Sequence, residues 1–165
     1  MNIRAFLPAD IPVLARLMAG DPLWQRYGIT EASAARRLAA GLAAGATIAV
    51  AEVEGAPVGF IWYVARGAFA RSGYIMLIGV APTHRGGGIG RALLAHAEAA
   101  LFAQADDVFL LVSDFNIAAQ AFYRRLGYQQ VGALSDYVVE GVTELVFRKR
   151  RHDVRSPAEP GSDAA

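Results

Sequence analysis

Cysteine is absent from the 165 residues. Disulfides, thiolate metal centres and a cysteine nucleophile are excluded together. The redox compartment cannot be read from that absence. Histidine is scarce. His84, His96 and His152 do not group with carboxylates at metal-ligand spacing, so no metal is expected. No apolar run approaches a membrane span. The N-terminus MNIRAFLPAD lacks the basic segment and long apolar stretch of a signal peptide. These absences together read as a soluble, cytoplasmic protein. Charge of one sign is also lacking. The net charge is +1 with 19% charged residues, which favours neither nucleic acid nor an acidic membrane as a partner.

Hydrophobic residues make up 55% of the chain, enough for one sizeable core. The length suits a single domain over residues 1–150. Residues 148–155, RKRRHDVR, hold five of the 16 basic residues and leave the body near neutral. Residues 151–165 are polar and rich in Pro, Gly and Ser, and read as a disordered tail. The periodicities predict strands at 2–6, 46–54, 58–65, 74–80, 108–112, 128–133 and 137–148. Helices are predicted after Pro8 and Asp10, from Thr30 to about Ala44, from the glycines to about Gln104, and over 116–126. Residues 23–29 read as an aromatic connector. The expected fold is α/β in the α+β sense: a mixed, mostly antiparallel sheet of about seven strands flanked by about four helices.

The stretch HRGGGIGRALL, from His84 to Leu94, places four glycines at the start of a helix. Helix-start N–H groups lack intrahelical partners and carry partial positive charge, so an anion fits there. A nucleotide-hydrolase loop would need Gly-Lys followed by Ser or Thr, and Gly90 is followed by Arg91 and Ala92. A dinucleotide fingerprint would need glycine at Leu93. Both fail. Arginine, two residues, glycine, one residue, glycine remains: Arg85, Gly88, Gly90. A second motif follows in LVSDFNIAAQAFYRRLGY, where Val112, Asn116, Ala119, Tyr123 and Gly127-Tyr128 keep a fixed spacing.

Together these motifs resemble the GCN5-related N-acetyltransferase (GNAT) family over about residues 2–147. The resemblance implies an acetyl-CoA-dependent N-acetyltransferase acting on a small-molecule or peptide amine in a ternary complex. It implies that the main chain of Ile78 and Val80 pairs with the pantetheine arm. Arg85, Gly86, Gly87, Gly88, Gly90 and Arg91 would hold the pyrophosphate, and Asn116 would bond the cofactor arm. Tyr123, two helical turns from Asn116, would protonate the leaving thiolate. Homodimers are common in the family.

Many members carry a glutamate on the strand before the glycine loop. Here that region is Tyr74-Ile75-Met76-Leu77-Ile78, with Met76 at the likeliest position. Asp114, Asp21, Glu31 and Tyr137 stay open as bases, as do a water chain and an amine of low pKa that needs no base, while His84 reads as a surface residue. Trp24, Arg26 and Tyr27, with residues 135–137, are expected to wall the acceptor pocket, Trp24 and Tyr27 by stacking on substrate. Two other readings stay open. One is an acyl-CoA-binding module without chemistry; the other is RNA contact through the basic cluster.

Overall fold

The computed structural model describes residues 1–154. Seven strands form one sheet in the order β1-β2-β3-β4-β5-β7-β6. They are β1 (Asn2–Ala5), β2 (Thr47–Val53), β3 (Ala56–Ala68), β4 (Ser72–Val80), β5 (Asp107–Ser113), β6 (Gln129–Ser135) and β7 (Thr143–Arg150). Every neighbouring pair is antiparallel except β4–β5. The single parallel step needs a crossover, and α4 (Ile89–Phe102) supplies it. The mostly antiparallel mixed sheet agrees with the sequence expectation. Among the described residues no helix is long and apolar enough to cross a membrane.

Alternate residues of β2 and β3 feed two cores, one on each face. Ile48, Val50, Phe60 and Trp62 pack with α1 (Ile11–Ala19), α2 (Pro22–Arg26) and α3 (Glu31–Ala43) through Leu14, Met18, Trp24 and Leu38. Ala49, Ala51, Ile61 and Tyr63 pack on the other face with Leu93, Leu94 and Leu101 of α4. Tyr123, from α5 (Ile117–Arg125), joins this second core with Phe147 and Tyr128.

Three expectations need correction. The connector at 23–29 contains the fifth helix, α2. Asp21 caps it by accepting the Leu23 N–H at 2.8 Å, and Pro22 occupies its first turn. The strand expected from residue 137 begins at Thr143. Asp136 (φ 55°) and Gly141 (φ 80°) fold the intervening loop, and the Asp136 carboxylate accepts the Gly141 N–H at 2.6 Å. The turn between the strands expected at 46–54 and 58–65 lies at Glu54 and Gly55. Val53 pairs with Ala56 around it, and both turn residues have positive φ, as a two-residue hairpin requires. Arg151–Val154 form a 3-10 turn, with Arg151 Nη2 donating to the Ala105 carbonyl. The rest of the expected tail lies outside the described residues.

Candidate active site

The site begins with a gap in the sheet. β4 and β5 pair only from Gly73↔Val108 to Ile75↔Leu110. Toward β3, Tyr63 faces Ile75 and Trp62 faces Leu77, so Met76 is an extra residue in β4. This bulge places Met76 and Leu77 against the same core, beside α1–α3, where a regular strand would send them to opposite faces. Past the bulge β4 has β3 on one side and, among the described residues, no strand on the other. The main chain of Ile78 and Val80 lies in this unpaired stretch.

Two cavities open off the gap. One, of about 870 Å³, is lined by Ile78, Val80, His84, Arg85, Gly86, Gly88, Gly90, Arg91 and Arg125, among others. The other, of about 400 Å³, lies between α2, α3 and the ends of β4, β5 and β7. Leu23, Trp24, Ile78, Asn116, Ala119 and Tyr123 line both. The two cavities therefore meet at Tyr123.

The larger cavity has the chemistry of an anion cradle. Gly88 precedes α4 with φ 82°, a left-handed conformation that a residue with a Cβ adopts at a cost. The α4 N-terminus faces the cavity through Ile89, Gly90 and Arg91. Arg91 and Arg125 are exposed at its wall and form no salt bridge among the described residues. Arg85 is placed differently. Its Nη2 bonds the Asp21 carboxylate, and its Nε donates to the Val80 carbonyl at 3.0 Å. Its side chain thus ties the loop to α2. Gly87 does not line either cavity.

Among the described residues, the only charged ones in the wall of the smaller cavity are Arg37 and Glu144. Glu144 is 4% exposed and sits opposite Ser113 across β5 and β7. Tyr27 donates its hydroxyl proton to Glu144 Oε1. With that proton committed, the Ser113 hydroxyl donates to the Tyr27 oxygen. Burial first, then the Glu144 bond, pushes the Tyr27 phenol up to about 12, so it remains a donor at neutral pH. Glu144 Oε2 has no partner among the described residues and opens to the cavity. Tyr123 is 6% exposed, and burial alone raises its phenol pKa. Its hydroxyl has no partner among the described residues and opens to the cavity junction. Asn116 caps α5, its Oδ1 accepting the Ala119 N–H at 3.1 Å, which leaves its amide donors for another partner.

Trp24 is largely a core aromatic. It is 7% exposed and packs on Phe60, 5.8 Å between centroids. A Cβ on Gly79 would stand 2.4 Å from the Trp24 ring, so glycine there makes room for this wall. Tyr27 lines the smaller cavity, but through a hydroxyl held by Glu144. Arg26 is turned onto Phe115, 3.8 Å from its centroid. Asp114, Asp21, Glu31 and Tyr137 do not line the smaller cavity. Sequence reasoning missed Glu144, Ser113 and Arg37. The available signal was a glutamate at an inward register of a final strand, TELVF. Among the described residues no group of three His, Cys, Asp or Glu could hold a metal ion.

The model of the acetyltransferase (GNAT) family matches residues 16–128, more than half of the chain. The chain belongs to the GNAT family. It is 34% identical over 146 residues to a mycothiol acetyltransferase of Salinispora tropica, covering 83% of this chain and 47% of that protein. The chain thus spans about half the length of that relative. It is 42% identical over 77 residues to the N-alpha-acetyltransferase RimI of Mycobacterium tuberculosis, 46% of this chain and 48% of that one. The crystal structure of a ribosomal-protein-alanine N-acetyltransferase from Brucella melitensis superposes with a TM-score of 0.71 at 25% identity, covering 91% and 99% of the two chains. The open sheet and its single parallel step are thus the GNAT fold, and the two cavities lie where β4 and β5 of that fold part.

Proposed function

We propose that this GNAT chain is an acetyl-CoA-dependent N-acetyltransferase that transfers directly to a primary amine of a small molecule or peptide. The observation that carries the reading is the meeting of two cavities at Tyr123, one with an anion cradle and one with a buried carboxylate. The names of the relatives, all acetyltransferases, support it. The larger cavity suits coenzyme A in size and charge. Its glycine loop, the α4 N-terminus, Arg91 and Arg125 face phosphates, and the unpaired edge of β4 offers main-chain partners to an amide-bearing arm.

Acetyl-CoA supplies the acetyl group as an activated thioester. Glu144 Oε2 accepts a proton from the incoming ammonium, leaving a neutral nucleophile. Tyr123, held neutral by burial, gives its proton to the departing sulfur. A C–N bond forms and the C–S bond breaks; the nitrogen's second proton restores the Tyr123 phenol, and the first leaves through Glu144 as the one net proton released. Tyr27 and Ser113 hold the carboxylate in place. The acyl-CoA-binding module without chemistry loses ground, because Glu144 supplies the carboxylate that β4 lacks.

Thiol release from acetyl-CoA over a panel of amines and peptides tests this, with no background from a cysteine-free chain. Release should depend on the acceptor. Tyr123→Phe should lower turnover by about 100-fold or more and leave the acetyl-CoA Kd within twofold. Unchanged turnover in that variant removes Tyr123 from the mechanism. Tight acetyl-CoA binding with no release from any amine rejects the transferase.

A further inference from the structure

Glu144 is an unusual group for a core. It is 4% exposed and bonded to a tyrosine, yet no arginine or lysine pairs with it among the described residues. A buried anion without a cation is costly unless something brings the cation. Across the same cavity stands Arg37, on α3, exposed at the mouth and likewise in no salt bridge. Burial first and then Tyr137 raise the pKa of Tyr74, and the charges of Glu144 and Arg37 reach it with opposite signs. Glu144 and Arg37 do not pair with each other. Much of the wall around them is apolar: Met18, Ile29, Met76, Leu77, Val138 and Val139.

One buried anion and one open cation in a largely apolar cavity of about 400 Å³ describe a zwitterion with a hydrophobic body. We propose that the acceptor is a small apolar amino acid or short peptide with a free carboxylate. Its ammonium docks on Glu144, its carboxylate on Arg37, and its side chain on Met76 and Leu77. This rests on the transferase reading above and narrows its substrate class. The order of charge fits the chemistry: the amine goes to the buried carboxylate, in the cavity that Tyr123 also lines, and the carboxylate stays with the exposed Arg37. A second positive charge on the acceptor would meet Arg37, which counts against polyamines.

The test compares free acids with their amides, using leucine, methionine and short dipeptides ending in them, with hexylamine as an acceptor lacking any carboxylate. The free acids should exceed their amides in kcat/KM by at least about tenfold, the scale of a charge-assisted hydrogen bond. Arg37→Ala should collapse that ratio toward one, and Arg37→Lys should restore part of it. Amides as good as acids, or a ratio untouched in Arg37→Ala, overturn the zwitterion and leave the transferase standing. If no amine accepts acetyl, the transferase reading fails by itself. Equilibrium binding, read from tryptophan fluorescence to which Trp24 in the cavity wall contributes, then decides the zwitterion. Free acids bound more tightly than amides in an Arg37-dependent way support it, and equal or absent binding rejects it.

Discussion

Glu144 and Tyr27 separate a functional carboxylate from a structural one. A structural buried ion pair loses stability when one partner is neutralised, because the other is left uncompensated. Glu144 has no cationic partner to strand among the described residues, and its neighbour Tyr27 is a donor that a carboxamide oxygen satisfies equally well. Glu144→Gln is therefore expected to leave thermal stability unchanged or raise it, since it removes a desolvated charge. The same change abolishes the proton acceptor, so kcat/KM should fall by about 100-fold or more at neutral pH. Differential scanning calorimetry beside the thiol assay gives both numbers from one preparation. A loss of stability that parallels the loss of activity would assign Glu144 to the core rather than to the chemistry.

At the scale of elements, what the sequence disclosed follows from where each signal resides. The glycine loop and the start of α5 are local: a positive φ needs glycine at Gly88, and a helix start needs a side-chain oxygen at Asn116. Spacing alone therefore found them. The bulge at Met76 is set by how β4 meets β3, and Glu144 faces the cavity only because β7 pairs Glu144 with Ser113. Neither pairing is written in one strand's own residues. The helix α2 is five residues, too short for a period to show, and its evidence was the Asp21-Pro22 cap. Asn116 joins cap and site, and two substitutions pull these roles apart. Asn116→Ala loses the cap and should cost about 1 kcal/mol of unfolding free energy. Asn116→Ser keeps a capping oxygen and should keep most of that stability. If the amide donors bind the acetyl-CoA arm, both variants raise the KM for acetyl-CoA alike. Denaturant melts and KM values would show the split; a normal KM in both would confine Asn116 to capping.

For the whole molecule, burial of phenols sets the alkaline limit. Burial is the leading cause of the raised pKa in Tyr27 (to about 12), Tyr63, Tyr74, Tyr123 and Tyr128. An unfolded tyrosine ionises near pH 10. Above that pH the unfolded chain binds fewer protons than the native one, so unfolding free energy decreases as pH rises. The contribution is full below about pH 10 and is lost through the native pKa values. Asp10 works with the opposite sign. Arg4 bonds hold its carboxyl below the usual range, so its contribution is full above the unfolded value near 4 and is lost as pH falls. The urea midpoint should therefore stay level from about pH 6 to 9 and decline beyond about 10, where several phenols titrate together. Turnover should hold over the same range, because the proton on Tyr123 is protected by the burial that stabilises the fold. A midpoint unchanged at pH 11 would mean that the phenols are as exposed to solvent as in the unfolded chain. Tyr123 would then lack the desolvation that keeps it an acid.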